Sequence, residues 1–124
     1  MTLNEYQEKA MGTCLLSSEN FSYMMLNLVG EVGEFASKVG KSIRKGHAEI
    51  CRNKLSMIGD TDMLFEQEQE LKKEAGDILW QLSGLCTVMG WSLDGVAQAN
   101  LDKLAARKAI GTIDGNGDGI LRSK

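Results

Sequence analysis

Apolar residues recur along two long stretches of the chain at alternating steps of four and three positions. In the first stretch, from about Asn20 to about Lys45, the row consists of Phe21, Met25, Leu28, Val32, Phe35 and Val39. In the second, from about Asp62 to about Met89, it consists of Leu71, Ala75, Ile78, Leu82, Leu85 and Met89. Since residues three and four positions apart share one helix face, the pattern predicts two long amphipathic helices with one apolar seam each.

Two shorter helices complete the predicted fold. Thr2 suits the N-cap of a helix over residues 2–14, and Ser92 suits the N-cap of a helix that reaches about Ile110. The last helix is expected to direct four apolar residues inward: Leu93, Ala97, Leu101 and Leu104. Short connections favour antiparallel neighbours, so we predict an all-α, four-helix-type bundle that is completed by forming an oligomer.

Two segments lie outside this periodic pattern. Residues 46–62 are ambiguous, and a short helix followed by a turn is one interpretation of them. Residues 111–124 are rich in glycine and lack periodicity, which is typical of a flexible tail. We therefore predict a single helical domain over residues 1–110 and a glycine-rich, flexible tail over residues 111–124.

The composition excludes several classes of protein. The chain has 124 residues, of which 43% are hydrophobic and 25% charged, a balance typical of a globular domain. A net charge of −3 provides no basic surface for nucleic acid, and no stretch approaches the ~18 apolar residues that a membrane span requires. The three cysteines lack a CxxC spacing and are interpreted as reduced thiols, so we expect a cytoplasmic protein.

The same five-residue phrase occurs in both long helices: an acid, a small or apolar residue, glycine, an acid and an apolar residue. The two copies are Glu31–Phe35 and Glu74–Ile78. Acids three positions apart lie on one helix face, and each of these acids precedes a seam residue by one position. If the seams face each other, four carboxylates converge between the helices: Glu31, Glu34, Glu74 and Asp77.

Converging carboxylates repel one another, and partial burial adds a desolvation cost. A hard divalent cation offsets both effects, and carboxylate oxygens suit Mg²⁺ or, as a substitute, Mn²⁺. Gly33 and Gly76 each cost roughly 1 kcal/mol relative to alanine inside a helix, which suggests a close backbone approach at this point. One acidic pair alone is typical of a solvated helix face, but two matched pairs favour a metal site.

Further polar residues are candidates for substrate binding. Asn100, Lys103 and Arg107 follow one face of the last predicted helix, and Lys38 extends the acidic row of the second helix. Beside a metal site, an amide and cations could hold phosphate oxygens, although a solvated helix face also explains them. Trp80 is a further candidate contact, although a tryptophan in a helix more often packs in the core.

These motifs resemble the all-α nucleoside triphosphate pyrophosphohydrolases of the MazG-like type, over about residues 18–119. The resemblance rests on Glu31-x-x-Glu34, on Glu74-x-x-Asp77 and on the segment GWSLDGVAQANLDKLAARK, residues 90–108. It implies Mg²⁺-dependent hydrolysis of a nucleoside or deoxynucleoside triphosphate to the monophosphate and pyrophosphate. It also implies that the four acids bind Mg²⁺, with Glu34 or Glu31 orienting the attacking water.

The resemblance extends to the substrate contacts and the assembly. It implies that Asn100, Lys103 and Arg107 contact the nucleotide and that the chain forms a dimer or tetramer. The sequence departs from the family pattern at Gly30, where many relatives carry an acid, and at Gln81, where many carry tyrosine. Two alternatives from the residues stay open, namely a non-catalytic helical oligomerisation module and a nucleotide-binding module without turnover.

Overall fold

A computed structural model of the chain describes residues 1–111. Its helices are α1 (Leu3–Met11), α2 (Phe21–Arg44), α3 (Thr61–Val88) and α4 (Leu93–Ala109), with a 3₁₀ turn at Leu16–Ser18. Two short strands, β1 (Ala48–Cys51) and β2 (Lys54–Met57), form an antiparallel hairpin between α2 and α3. The four helices dominate the fold, so the predicted all-α class is confirmed.

Side-chain caps fix where each helix begins. Thr2, Asn20, Asp60 and Ser92 each accept a hydrogen bond from the backbone N–H three residues later, over 2.8–3.0 Å. These bonds satisfy N–H groups that have no partner within the helix itself. The predicted caps at Thr2 and Ser92 are therefore confirmed.

The hairpin corrects the sequence-based expectation of a short helix in residues 46–62. Cys51 pairs with Lys54, and the two residues between them, Arg52 and Asn53, have φ angles of 52° and 64°. Such left-handed pairs form the two-residue turns that match the twist of antiparallel strands. The strands have four residues each, too few for their alternation to be distinguished from a helical pattern.

Helices α2 and α3 run antiparallel and form the central contact of the molecule. Met24 is completely buried, and a Cβ added at Gly84 would collide with its sulfur and terminal methyl. The side of α2 that faces α3 also carries Glu31 and Lys38, whereas Met25 and Val32 of the predicted seam are 40% and 50% exposed. The predicted helix is therefore correct, but its seam is rotated away from α3.

Hydrogen bonds hold α1 against α3 and the start of α4. The Gln7 amide donates to the Thr87 hydroxyl and to the Trp91 carbonyl, both at 2.9 Å, and accepts from the Leu93 N–H at 2.8 Å. Leu93 is buried, as predicted, but Leu101 is 60% exposed rather than directed inward. Within residues 1–111, α4 therefore packs on the bundle mainly through its first turns.

Gly33 and Gly76 do not have the role that the sequence suggested. A Cβ at either position would meet no heavy atom within 4 Å in the described part of the chain. Close backbone approach inside one protomer therefore does not explain them. The required glycine of the α2–α3 contact is Gly84.

The described helices include none that is both long and apolar enough to cross a membrane. The predicted tail over residues 111–124 lies, beyond its first residue, outside the described residues.

We expect Gly84→Ala to lower the free energy of unfolding by about 1–3 kcal/mol, because the added methyl group would overlap the end of the fully buried Met24 side chain, which must shift within a packed contact. Gly76→Ala is the matched control, since it adds the same methyl group to the same helix in open space. Chemical denaturation compares the two variants. Equal stability of both would contradict the tight α2–α3 contact.

Candidate metal centre

Three carboxylates from two helices meet at the α2–α3 contact. Glu31 belongs to α2, whereas Glu74 and Asp77 occupy successive turns of α3. One carboxylate oxygen of each lies within 4.8 Å of the other two. The antiparallel packing thus brings together acids that are more than forty positions apart in sequence.

The group is partly shielded from water. The Glu74 side chain is 12% exposed, Glu31 is half-buried and Asp77 is open to solvent. The buried Oε2 of Glu31 has no hydrogen-bond partner within residues 1–111. A buried carboxylate oxygen without a partner is costly, which makes it a candidate ligand atom for a cation.

Electrostatics within the group raise the pKa of Glu31 above its ordinary value. Burial is the largest cause, and the charges of Asp77, Glu74 and Glu34 add to it. Both effects disfavour a second and third negative charge in a confined space. A divalent cation would reverse the balance, because it favours the ionised form of every carboxylate that it contacts.

Lys38 is a cation on the same side of α2 that pairs with this group. Its Nζ lies 3.1 Å from Oε2 of Glu74 and 3.7 Å from Oε2 of Glu70. The hydrogen bond to Glu74 is the largest cause of the raised pKa of Lys38. The predicted candidate Lys38 therefore lies at the rim of the acidic group.

The donor set fits a hard divalent ion. All three groups offer carboxylate oxygens, which Mg²⁺ and Mn²⁺ prefer over nitrogen or sulfur ligands. Three protein ligands leave coordination positions for water and for phosphate oxygens of a substrate. Glu31, Glu74 and Asp77 are the residues that would hold such an ion.

The fourth predicted acid, Glu34, is not part of this group. It is exposed on the next turn of α2, although its charge is near enough to raise the pKa of Glu31. Because α2 is rotated relative to the predicted seam, Glu31 points between the helices and Glu34 lies toward the outside. The structure therefore brings together three of the four predicted ligands.

The remaining predicted site residues lie elsewhere in the described chain. The Trp80 indole N–H donates to the Ala10 carbonyl at 3.1 Å and to the Thr13 hydroxyl at 3.0 Å, which fixes Trp80 at the α1–α3 contact. Its predicted contact with the substrate stays a prediction. On α4, Asn100 and Lys103 are exposed and Arg107 is half-buried.

Sequence reasoning did not identify Tyr6 as a neighbour of the site. Burial and the nearby charge of Asp77 both raise the pKa of its phenol. No motif marks this tyrosine, because its position depends on how α1 packs on α3. Tyr6 could be identified from the sequence only if the contact between α1 and α3 were already known.

A helical protein with a carboxylate centre between two antiparallel helices is the class that fold and site define. The family model of the MazG nucleotide pyrophosphohydrolase domain matches residues 19–110, and the chain belongs to this family. It is 38% identical over 102 residues to the "Gene 37 protein" of Mycobacterium phage L5. The match covers 82% of this chain and 78% of the phage protein. No solved structure shows a significant match.

We expect Glu31→Gln to stabilise the metal-free protein at neutral pH by a few degrees in melting temperature. The ordinary pKa of Glu31 is 4.5 and its pKa in the folded protein is higher, so the folded state retains the proton longer. Stability of the native protein should therefore fall as the pH rises through the interval between these two values.

Thermal unfolding in the presence of a chelator, over a series of pH values, measures this effect. Glu31→Gln should flatten the decline of stability with rising pH. Glu5→Gln, at an exposed site of α1, is unsuitable as a control because Glu5 completes a capping box. Glu68→Gln, exposed on α3, is the better control. A melting temperature of Glu31→Gln below that of the native protein would contradict the repulsion among the carboxylates of the group.

Proposed function

We propose that this protein hydrolyses a nucleoside or deoxynucleoside triphosphate to the monophosphate and pyrophosphate, with Mg²⁺ as its metal. The observation that carries the proposal is the group of Glu31, Glu74 and Asp77 in a chain of the MazG nucleotide pyrophosphohydrolase domain family. The unpartnered Oε2 of Glu31 supports metal binding there. Mn²⁺ is the expected substitute, since it accepts the same oxygen ligands.

In the proposed reaction, the carboxylates have two different roles. When bound, Mg²⁺ would neutralise phosphate charge and increase the electrophilicity of phosphorus. Glu31, Glu74 and Asp77 hold it, and Glu34, exposed beside the group, is the proposed base that orients water and takes its proton. The water oxygen bonds to the α-phosphorus, the bond from the α-phosphorus to the bridging oxygen breaks, and pyrophosphate departs.

Lys38 has a proposed role in binding the phosphates. Its ammonium group, now 3.1 Å from Glu74, can donate to a phosphate oxygen once that carboxylate binds a cation. Asn100, Lys103 and Arg107 remain proposed nucleotide contacts on the strength of the family resemblance. Because α4 packs chiefly on α1, we propose that they approach a nucleotide bound by a neighbouring protomer.

The reaction is tested by measuring pyrophosphate release from a panel of ribonucleoside and deoxynucleoside triphosphates, with Mg²⁺ and with a chelator. We expect Mg²⁺-dependent release from at least one substrate. Release of orthophosphate alone would indicate a different bond cleavage. Tight nucleotide binding without any release would favour the nucleotide-binding module instead.

We expect Asp77→Asn to lower kcat/KM on the order of 100-fold or more, because it removes a charged ligand that the transition state requires. Asp77 is exposed, so its substitution should leave the fold intact. Glu68→Gln on the same helix serves as the matched control and should retain native activity. Full activity of Asp77→Asn would remove Asp77 from the metal centre.

We further propose that the chain forms a homo-oligomer through the outer face of α2. Leu26, Val29 and Val32 are 71%, 63% and 50% exposed there, and each lies within one turn of the next. Gly30 and Gly33 adjoin them with open space above their Cα atoms, which permits a second helix to approach closely. Of these three residues only Val32 belongs to the predicted seam, so most of this apolar face was not predicted from the sequence pattern.

We expect Val29→Lys to shift the protein toward the monomer, because it places a charge in the centre of this apolar face. Light scattering should give a mass well above 13.6 kDa for the native protein and a lower mass for the variant. Ile50→Lys, at an exposed apolar residue of the hairpin, is the control and should leave the mass unchanged. A native monomer would contradict the proposed interface.

A further inference from the structure

A cavity of about 300 Å³ lies between the C-terminal half of α2 and the N-terminal half of α3. Its polar lining comes from both helices and consists of Lys38, Lys41, Ser42, Glu66, Gln67 and Glu70. Lys38 connects it to the carboxylate centre, since the same ammonium group reaches Glu70 on one side and Glu74 on the other. The cavity is thus adjacent to the proposed metal centre.

The most informative group in this lining is the side chain of Gln67. Its Oε1 and its Nε2 are both buried, and neither has a hydrogen-bond partner within residues 1–111. Leaving a buried donor or acceptor unsatisfied is unfavourable, because the group has lost its hydrogen bonds to water. Because Gln67 lines the cavity, a small rotation of its side chain would present the amide to a ligand that offers one donor and one acceptor side by side.

The position of Gln67 relative to the metal centre matches the length of a nucleotide. Gln67 and Glu74 are seven residues apart on α3, which at 1.5 Å per residue is about 10 Å along the helix axis. In a nucleotide, a sugar separates the α-phosphate from the pairing edge of the base by a comparable distance. A triphosphate whose α-phosphate lies at the carboxylates can therefore present its base to Gln67.

The charges of the lining favour a nucleobase over a second phosphate group as the occupant of the cavity. Lys38 and Lys41 contribute two positive charges, and Glu66 and Glu70 contribute two negative charges. A pyrophosphate subsite requires an excess of cations, which this lining lacks. A neutral ring is better matched, because Leu71 and the lysine methylenes provide apolar surface for its faces.

We propose that this cavity receives the nucleobase of the substrate and that Gln67 is the residue that determines base specificity. The inference rests on the proposed function. The Gln67 Oε1 accepts from an exocyclic amino group while its Nε2 donates to the adjacent ring nitrogen, a pairing available with cytosine or adenine.

The neighbouring carboxylate of Glu66 indicates which bases the cavity should prefer. Glu66 makes no ion pair within residues 1–111, and it adds an acceptor near Gln67. An additional acceptor favours a base that carries an amino group and disfavours one that presents a carbonyl at the same place. Cytosine and adenine nucleotides are therefore preferred over uracil and thymine nucleotides.

The test compares Gln67→Leu with the matched substitution Gln69→Leu, two residues along the same helix and outside the cavity lining. We measure kcat/KM for dATP, dCTP, dGTP and dTTP, and for inorganic tripolyphosphate as a substrate without a base. The native protein should prefer dCTP or dATP. Gln67→Leu should reduce that preference about tenfold or more, whereas Gln69→Leu should retain it.

A second variant guards against a folding defect. Gln67→Met has nearly the same shape and removes both the donor and the acceptor without adding a charge, so it should also weaken the preference while the thermal unfolding stays near native. If the Gln67 variants lost kcat/KM equally for all four nucleotides and for tripolyphosphate, the cavity would be assigned to phosphate binding and the proposal would be overturned. Equal native kcat/KM for all four bases would overturn it as well.

Equilibrium binding distinguishes failure of this inference from failure of the proposed reaction. Isothermal calorimetry with dAMP, dCMP, dGMP and dTMP measures base preference without turnover. A preference that Gln67→Leu abolishes supports the base cavity even if no triphosphate is hydrolysed. Hydrolysis of triphosphates without any base preference would leave the reaction intact and remove the role of Gln67.

Discussion

The rest of this structure depends on the placement of like charges at a helix–helix contact. Apolar side chains at the positions of Glu31 and Glu74 would pack α2 against α3 without electrostatic cost. Instead, their carboxylates meet Asp77 within 4.8 Å, and burial together with the neighbouring charges raises the pKa of Glu31. Lys38 compensates part of this charge through Glu74. A contact that is unfavourable for packing alone is well explained by cation binding.

The rotation of α2 that brings the acids inward has a consequence on its opposite side. A helix cannot bury two faces against one neighbour, so turning Glu31 toward α3 leaves Val29 and Val32 exposed. Half of the apolar row that the sequence pattern places in the core is therefore exposed on the single chain, namely Phe21, Met25 and Val32. The candidate metal centre and the proposed oligomer interface therefore both follow from the orientation of α2.

Helix α3 fixes the distance between the proposed metal site and the proposed base cavity. Gln67, Glu74 and Asp77 belong to one uninterrupted helix of 28 residues, so the spacing between them is set by backbone hydrogen bonds rather than by a loop. The hairpin precedes this helix in the chain. A rigid spacing of this kind suits the recognition of a ligand whose two ends need different chemistry.

The sequence by itself determined the features that depend on neighbours within a few turns. The helical periods, the caps Thr2 and Ser92 and the repeated acidic phrase are of this kind, and the family resemblance follows from the same motifs. The hairpin was missed because its left-handed turn at Arg52 and Asn53 carries no strong local signal. Only the tertiary structure decided that Glu31, rather than Glu34, faces Glu74 and Asp77, and that Trp80 binds α1. These outcomes depend on the rotation of one helix against another, which is set by contacts such as Met24 against Gly84 between residues sixty positions apart.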